Sequence, residues 1–228
     1  MAISGTATFN LDLSEIVEEA FERAGSELRT GYDLRTARRS LNLLFADWAN
    51  RGINMWTFEQ GSITLVPGTA TYDLPTDTVD LLEHVIRTGA GSASTQADLT
   101  ITRISVSTYA TIPNKLQQAR PIQIWVERLL TPRVTVWPVP DDSQTYTLVY
   151  WRMRRIDDAG NGVNTMDVPF RFLPCLVAGL AYYLALKIPS GVNRLDILKA
   201  QYDEAWELAS TEDRETAALR FVPRQQYI

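Results

Sequence analysis

Apolar residues recur every three or four positions through the first part of the chain. Leu13, Ile16, Val17, Ala20, Phe21, Ala24 and Leu28 share one helical face, and Asp12 with Glu15 forms a capping box ahead of it. Gly25 weakens or ends this helix. A second helix is predicted from Asp33, with Leu34, Ala37, Leu41, Leu44, Phe45 and Trp48 on one side and Gly52 as its stop. From Ile53 to Val168 the period falls to two. Ser62 to Val66, the Pro67-Gly68 turn and Thr71 to Leu74 read as a hairpin. Further strands are predicted at 81–87, 99–105, 122–127, 133–137 and 145–153, the last two flanking turn chemistry at Pro138 to Asp142. Short links make the segment antiparallel, because a parallel pair needs a long crossover.

The helical period then returns. Pro169 opens a run to Ile188 that is apolar almost all round and therefore buried, and Pro189-Ser190-Gly191 breaks it. Leu195, Leu198, Tyr202, Ala205, Trp206 and Ala209 form the stripe of a fourth helix, and residues 219–228 read as an extended tail. The expected fold is α+β: a four-helix bundle from two N-terminal and two C-terminal helices, an inserted antiparallel β domain and the tail. The segments are 1–52, 53–168, 169–218 and 219–228. No secretion signal opens the chain, and the longest apolar stretch, 175–186, is too short for a span of roughly 20 residues. A cytoplasmic protein is expected.

Composition narrows the chemistry. The chain has 228 residues, 45% of them hydrophobic and 21% charged, as in a folded globular protein. Net charge is −5, which disfavours general duplex-DNA binding. One cysteine, Cys175, and one histidine, His84, leave no disulfide, no cysteine-rich metal site and little scope for histidine-dependent nucleophilic chemistry. Cys175 reads as a small buried hydrophobe and His84 as a structural residue in an apolar strand. The loop from Asp157 to Gly162 invites a calcium reading. Aligned to an EF-hand it places Ala159 and Val168 at ligand positions, so the alignment fails. The Gly/Ser-rich stretch 88–94 lacks the lysine and helix of a phosphate cradle and reads as a loop tip. No metal and no cofactor are implied.

The charge is nevertheless segregated. Residues 12–27 hold six acids and one base, whereas residues 103–155 hold eight bases and three acids. Aromatic and arginine residues crowd the β segment: Trp125, Arg133, Trp137, Tyr150, Trp151, Arg152 and Arg154. That composition suits a subunit or tail interface, a plain core, or stacking on bases or sugars. A carbohydrate- or nucleic-acid-binding β module on a helical scaffold is thus one alternative. A carboxylate-pair glycosidase is another, without any specific spacing to support it.

Three runs of residues carry a resemblance: Leu41-Asn42-Leu43-Leu44-Phe45-Ala46-Asp47-Trp48, then Gly52-Ile53-Asn54-Met55-Trp56, then Thr64 to Pro75. Ile101 to Ser105 with Tyr109, Val134 to Asp141, and the Pro169 helix extend it. The chain resembles the head-to-tail adaptor proteins of tailed bacteriophages, also called head completion or tubular tail A proteins, over roughly residues 12 to 187. The resemblance implies a non-enzymatic structural protein of the virion neck. It would form a ring, usually dodecameric, between the portal and a tail nozzle or other tail or neck protein. It would extend the DNA channel, touch the genome passively and help retain it. On this reading the tail residues Arg220, Phe221, Arg224, Tyr227 and Ile228 contact the portal. Glu15, Glu18, Glu19 and Glu22 line the channel, where like charge lets DNA slide.

Overall fold

In chain order the elements begin with α1 (Leu13–Ala24), α2 (Gly31–Arg51), β1 (Phe58–Thr64), β2 (Thr71–Asp73) and β3 (Thr78–Thr88). There follow β4 (Ala97–Thr100), β5 (Thr102–Arg103), α3 (Val106–Ala110), β6 (Gln123–Glu127), β7 (Arg133–Trp137) and β8 (Tyr146–Arg154). The chain closes with α4 (Leu173–Ala185) and α5 (Leu195–Glu212). These come from a computed structural model, which describes residues 5–6, 8–28, 31–52 and 55–214. The fold is α+β. It separates into two compact units, one from the two ends of the chain (up to Trp56 and from Asp157), the other spanning Thr57–Ile156.

In the helical unit α1 starts at the capping box: Asp12 Oδ1 accepts from Glu15 N at 2.9 Å and Glu15 Oε2 accepts from Asp12 N at 3.0 Å. Gly25 ends it in a left-handed conformation at φ 81°, where its missing Cβ removes the steric cost. Two first-turn amides remain, and the acidic loop supplies their acceptors. Leu13 N donates to Asn164 O and Ser14 N to Gly162 O, while Ala159 N donates to Asn42 Oδ1. The loop that invited a calcium reading is a clamp on α1 and α2.

Helix α4 packs against α1, α2 and α5, and its residues from Cys175 to Ala181 are all buried. An aromatic cluster joins α2, α5 and the turn before α4: Trp48 lies 5.6 Å from Phe172 and 5.3 Å from Trp206. Trp48 Nε1 donates to Tyr202 Oη at 2.9 Å, so the buried indole is satisfied.

The β unit has two four-stranded sheets, ordered β1-β8-β3-β4 and β2-β7-β6-β5. Sequence reasoning paired neighbours along the chain, and here the structure differs. β1 pairs with β8 and β2 with β7, so Pro67-Gly68 turns a corner between sheets instead of closing a hairpin. The 138–145 connection does the same between β7 and β8. The single strand expected over 99–105 breaks at Ile101, leaving β4 on one sheet and β5 on the other. The all-antiparallel expectation also needs correction: β5 runs parallel to β6. The connection through α3 is long enough to serve as that crossover.

Apolar residues of both sheets form one core, with Leu81, Ile86, Ile124, Val126, Val134, Val136, Tyr146, Leu148 and Tyr150 buried in it. Leu81 and Ile86 are an odd number of residues apart and would point to opposite faces of a regular strand. A register shift between Leu81 and Glu83 restores the parity. Tyr150 sits directly across from Gly61, whose absent Cβ leaves room for the phenol ring.

Candidate interaction surfaces

The acidic face of α1 takes a specific form. Glu15, Glu18, Glu19 and Glu22 rim a groove of about 510 Å³ whose apolar lining includes Phe9, Phe170, Leu173 and Val177. The core stripe of α1 turns inward, so the alternate stripe carries the carboxylates. Phe9 is 67% exposed and Phe170 72%, so large rings stand open beside the acids. Glu15 is engaged with the backbone of Asp12, and Glu19 accepts from Arg23 Nε at 2.7 Å. Glu18 and Glu22 have no ion-pair partner among the described residues. A second concavity shares Arg23 and Pro174 with the first and carries the surface on to Glu204 and the exposed Leu208 of α5.

The aromatic and arginine set of the β unit does not form one platform. Trp125, Trp137 and Arg133 lie on the face of the β6–β7 pair away from the core. There α3 and its loop partly cover them: Tyr109 stacks on Trp125 at 5.0 Å, Lys115 lies over Tyr109, and Trp137 Nε1 donates to Asn114 O at 3.0 Å. Trp151 belongs to the other sheet, opposite Gln60 and Glu83. Tyr150 is a core residue. Arg154 is half-buried at the end of β8 and donates to Arg155 O.

Arg152 is buried at the end of the core face. Its guanidinium donates to Asp77 Oδ1 at 2.6 Å, Glu59 Oε2 at 2.7 Å and Thr78 Oγ1 at 2.9 Å. The bonded guanidinium holds the Asp77 carboxyl below its ordinary value, against the opposing effect of burial. Tyr150 and Arg152 thus stabilise the sheet and offer no free surface.

The β6–β7 turn presents what pattern reading missed. Leu130 is fully exposed and Leu129 is 55% exposed, between Arg128 and Arg133. Arg128 lies 3.8 Å from Asp80, and Arg133 donates to Asp73 at 2.9 Å. Two adjacent leucines in a turn otherwise built of arginine, threonine and proline were the available signal, since the tip of a short turn projects away from the sheets.

Other chemistry stays structural. Burial pushes the Cys175 thiol up to about 12, so little of it is thiolate at neutral pH. Burial holds the His84 imidazole below its ordinary value, against the opposing effect of the Ile101 backbone, and among the described residues its ring nitrogens make no well-aligned hydrogen bond. Among the described residues no three His, Cys, Asp or Glu side chains are grouped to hold a metal, and no helix is long and apolar enough to cross a membrane. The proposed portal contacts Arg220, Phe221, Arg224, Tyr227 and Ile228 lie outside the described residues.

Comparison with curated proteins returns no match. A family model does match, that of the SU10 adaptor protein, over residues 11–223, spanning both the helical unit and the inserted sheets. The chain belongs to the SU10 adaptor protein family, a family of phage structural adaptors of the head-to-tail kind.

Proposed function

We propose that copies of this chain form a ring between portal and tail in the phage neck, dodecameric as is usual for such adaptors, and extend the DNA channel. The match over residues 11–223 carries this reading. The helices α1, α2, α4 and α5, drawn from segments 1–52 and 169–218, make the wall as a four-helix bundle. The β insertion within 53–168 meets neighbouring copies or the tail. The ring, completed after packaging, helps retain the genome. Its partners are the portal, a tail or neck protein and, passively, the DNA, and it resides in the virion.

In this reading the segment 219–228 anchors on the portal, with Phe221, Tyr227 and Ile228 as apolar contacts and Arg220 and Arg224 as charged ones. The test is co-sedimentation of the full chain, and of a chain ending at residue 218, with the cognate portal ring. The full chain should travel with the portal while the shortened chain, folded by circular dichroism, should not. Equal binding by both would reject the anchor.

A further inference from the structure

The groove between α1 and α4 and the β6–β7 turn are both uncovered among the described residues, and they complement each other. The groove offers an apolar floor bordered along α1 by four carboxylates and by Arg23, which is paired with Glu19; Glu18 and Glu22 have no ion-pair partner among the described residues. The turn offers two exposed leucines between Arg128 and Arg133, with no acid among the intervening residues. Isolated exposed apolar residues are common on protein surfaces. A fully exposed leucine beside another, flanked by arginine, has the composition of an interface anchor.

We propose that the β6–β7 turn of one copy inserts into the α1–α4 groove of the next, with Leu129 and Leu130 on Phe9 and Phe170, and with Arg128 and Arg133 facing Glu18 and Glu22. Groove and knob are different surfaces, so the contact is head-to-tail and every copy both gives and receives. Such a contact generates a ring where its rotation closes. Arg133 leaves an exposed pair with Asp73 in exchange for a less hydrated one, a substitution that costs little because exposed pairs contribute little. The proposal rests on the ring reading above and deepens it. It places Glu15, Glu18, Glu19 and Glu22 at the joint between copies in place of the channel wall.

A charge exchange tests the contact. Three full-length proteins are compared by native mass, alone and on the cognate portal: wild type, the groove variant Glu18→Arg/Glu22→Arg, and the turn variant Arg128→Glu/Arg133→Glu. Wild type should form multimers. Each variant alone should stay monomeric, because its groove and turn then carry like charge. Mixed in equal amounts the two should assemble again and alternate, since each groove meets a turn of opposite charge. Leu130→Asp, which disturbs no packing within the copy, should weaken assembly by about tenfold or more.

Normal assembly of either variant alone would overturn the contact and leave the ring reading standing. Failure of the mixture, with both variants folded, would overturn it too. If removal of 219–228 abolishes multimers while the groove and turn variants retain them, the tail is the occupant and the proposal falls. If wild type remains monomeric both free and on the portal, the ring reading itself fails.

Discussion

Replacing Arg152 by methionine keeps most of the buried stem and removes the guanidinium that ties β8 to β1 and to the start of β3. The side chain is 8% exposed and donates to two carboxylates and one hydroxyl. Removing one member of a buried ionic cluster typically costs about 3–5 kcal/mol, because the remaining charge is stranded. Here the stranded groups are Glu59 and Asp77, whose side chains are 51% and 43% exposed, so water recovers part of the loss. A cost of about 2–3 kcal/mol follows, borne by the β unit of residues 57–156. For a domain of that size it lowers the melting temperature by roughly 10–20 °C.

With two compact units in the chain, hydrogen exchange read by mass spectrometry assigns the loss to one of them and is a better assay than a single melting curve. Amides of β8 and β3 should exchange faster in Arg152→Met, while those of α4 keep their protection. Restoring neutrality with Glu59→Gln and Asp77→Asn should recover part of the loss. Unchanged or greater protection of β8 would refute the reasoning and show the ion cluster to be a net cost that an apolar side chain relieves.

Acid should reveal the same cluster. The folded-state pKa of Asp77 is depressed, so its contribution is full above the unfolded-state value of roughly 4 and is lost as pH falls through the lower folded value. Asp77→Asn should flatten that acid limb in pH-dependent exchange, and an unaltered limb would exclude the residue. Gly61→Ala places a Cβ 2.5 Å from the Tyr150 ring and should destabilise the β unit by about 1–3 kcal/mol, measured by urea unfolding. Adding Tyr150→Leu should recover part of that loss, and independent, additive effects would argue against the clash. Cys175, buried with its thiol raised to about 12, should react with a thiol reagent only as fast as the helical unit opens. A rapid reaction in native buffer would contradict its burial.

Helices were legible because their evidence is local. The 3.6-residue stripe from Leu13 to Ala24, the Asp12–Glu15 box and the stop at Gly25 each act within a few residues and reappear in the structure, whereas Leu28, read onto the same stripe, falls beyond the helix end. Strand positions were legible for the same reason, but strand partners were not. Pro67-Gly68 bends the chain equally well into a hairpin or across to another sheet, and the choice lies with β8 and β7, some 80 and 65 residues away. Charge segregation pointed to the acids of α1. It said nothing of Phe9 and Phe170 between them, because their adjacency depends on α1 packing against α4. The arginines of β8 looked alike in sequence. Register and burial separate Arg152, locked beneath the sheet, from its half-buried neighbour Arg154.

The helical unit is assembled from the two ends of the chain, with the sheets inserted between them. Ribosomes deliver α1 and α2 first, but their main packing partner, α4, begins only at Leu173. During translation of the intervening residues the apolar stripes of α1 and α2 must wait, while the β unit already has all its strands and can fold. A prematurely terminated chain would therefore present folded sheets without the helical scaffold. A chain that stops before Leu173 lacks the main packing partner of α1 and α2, and their apolar stripes stay uncovered by it.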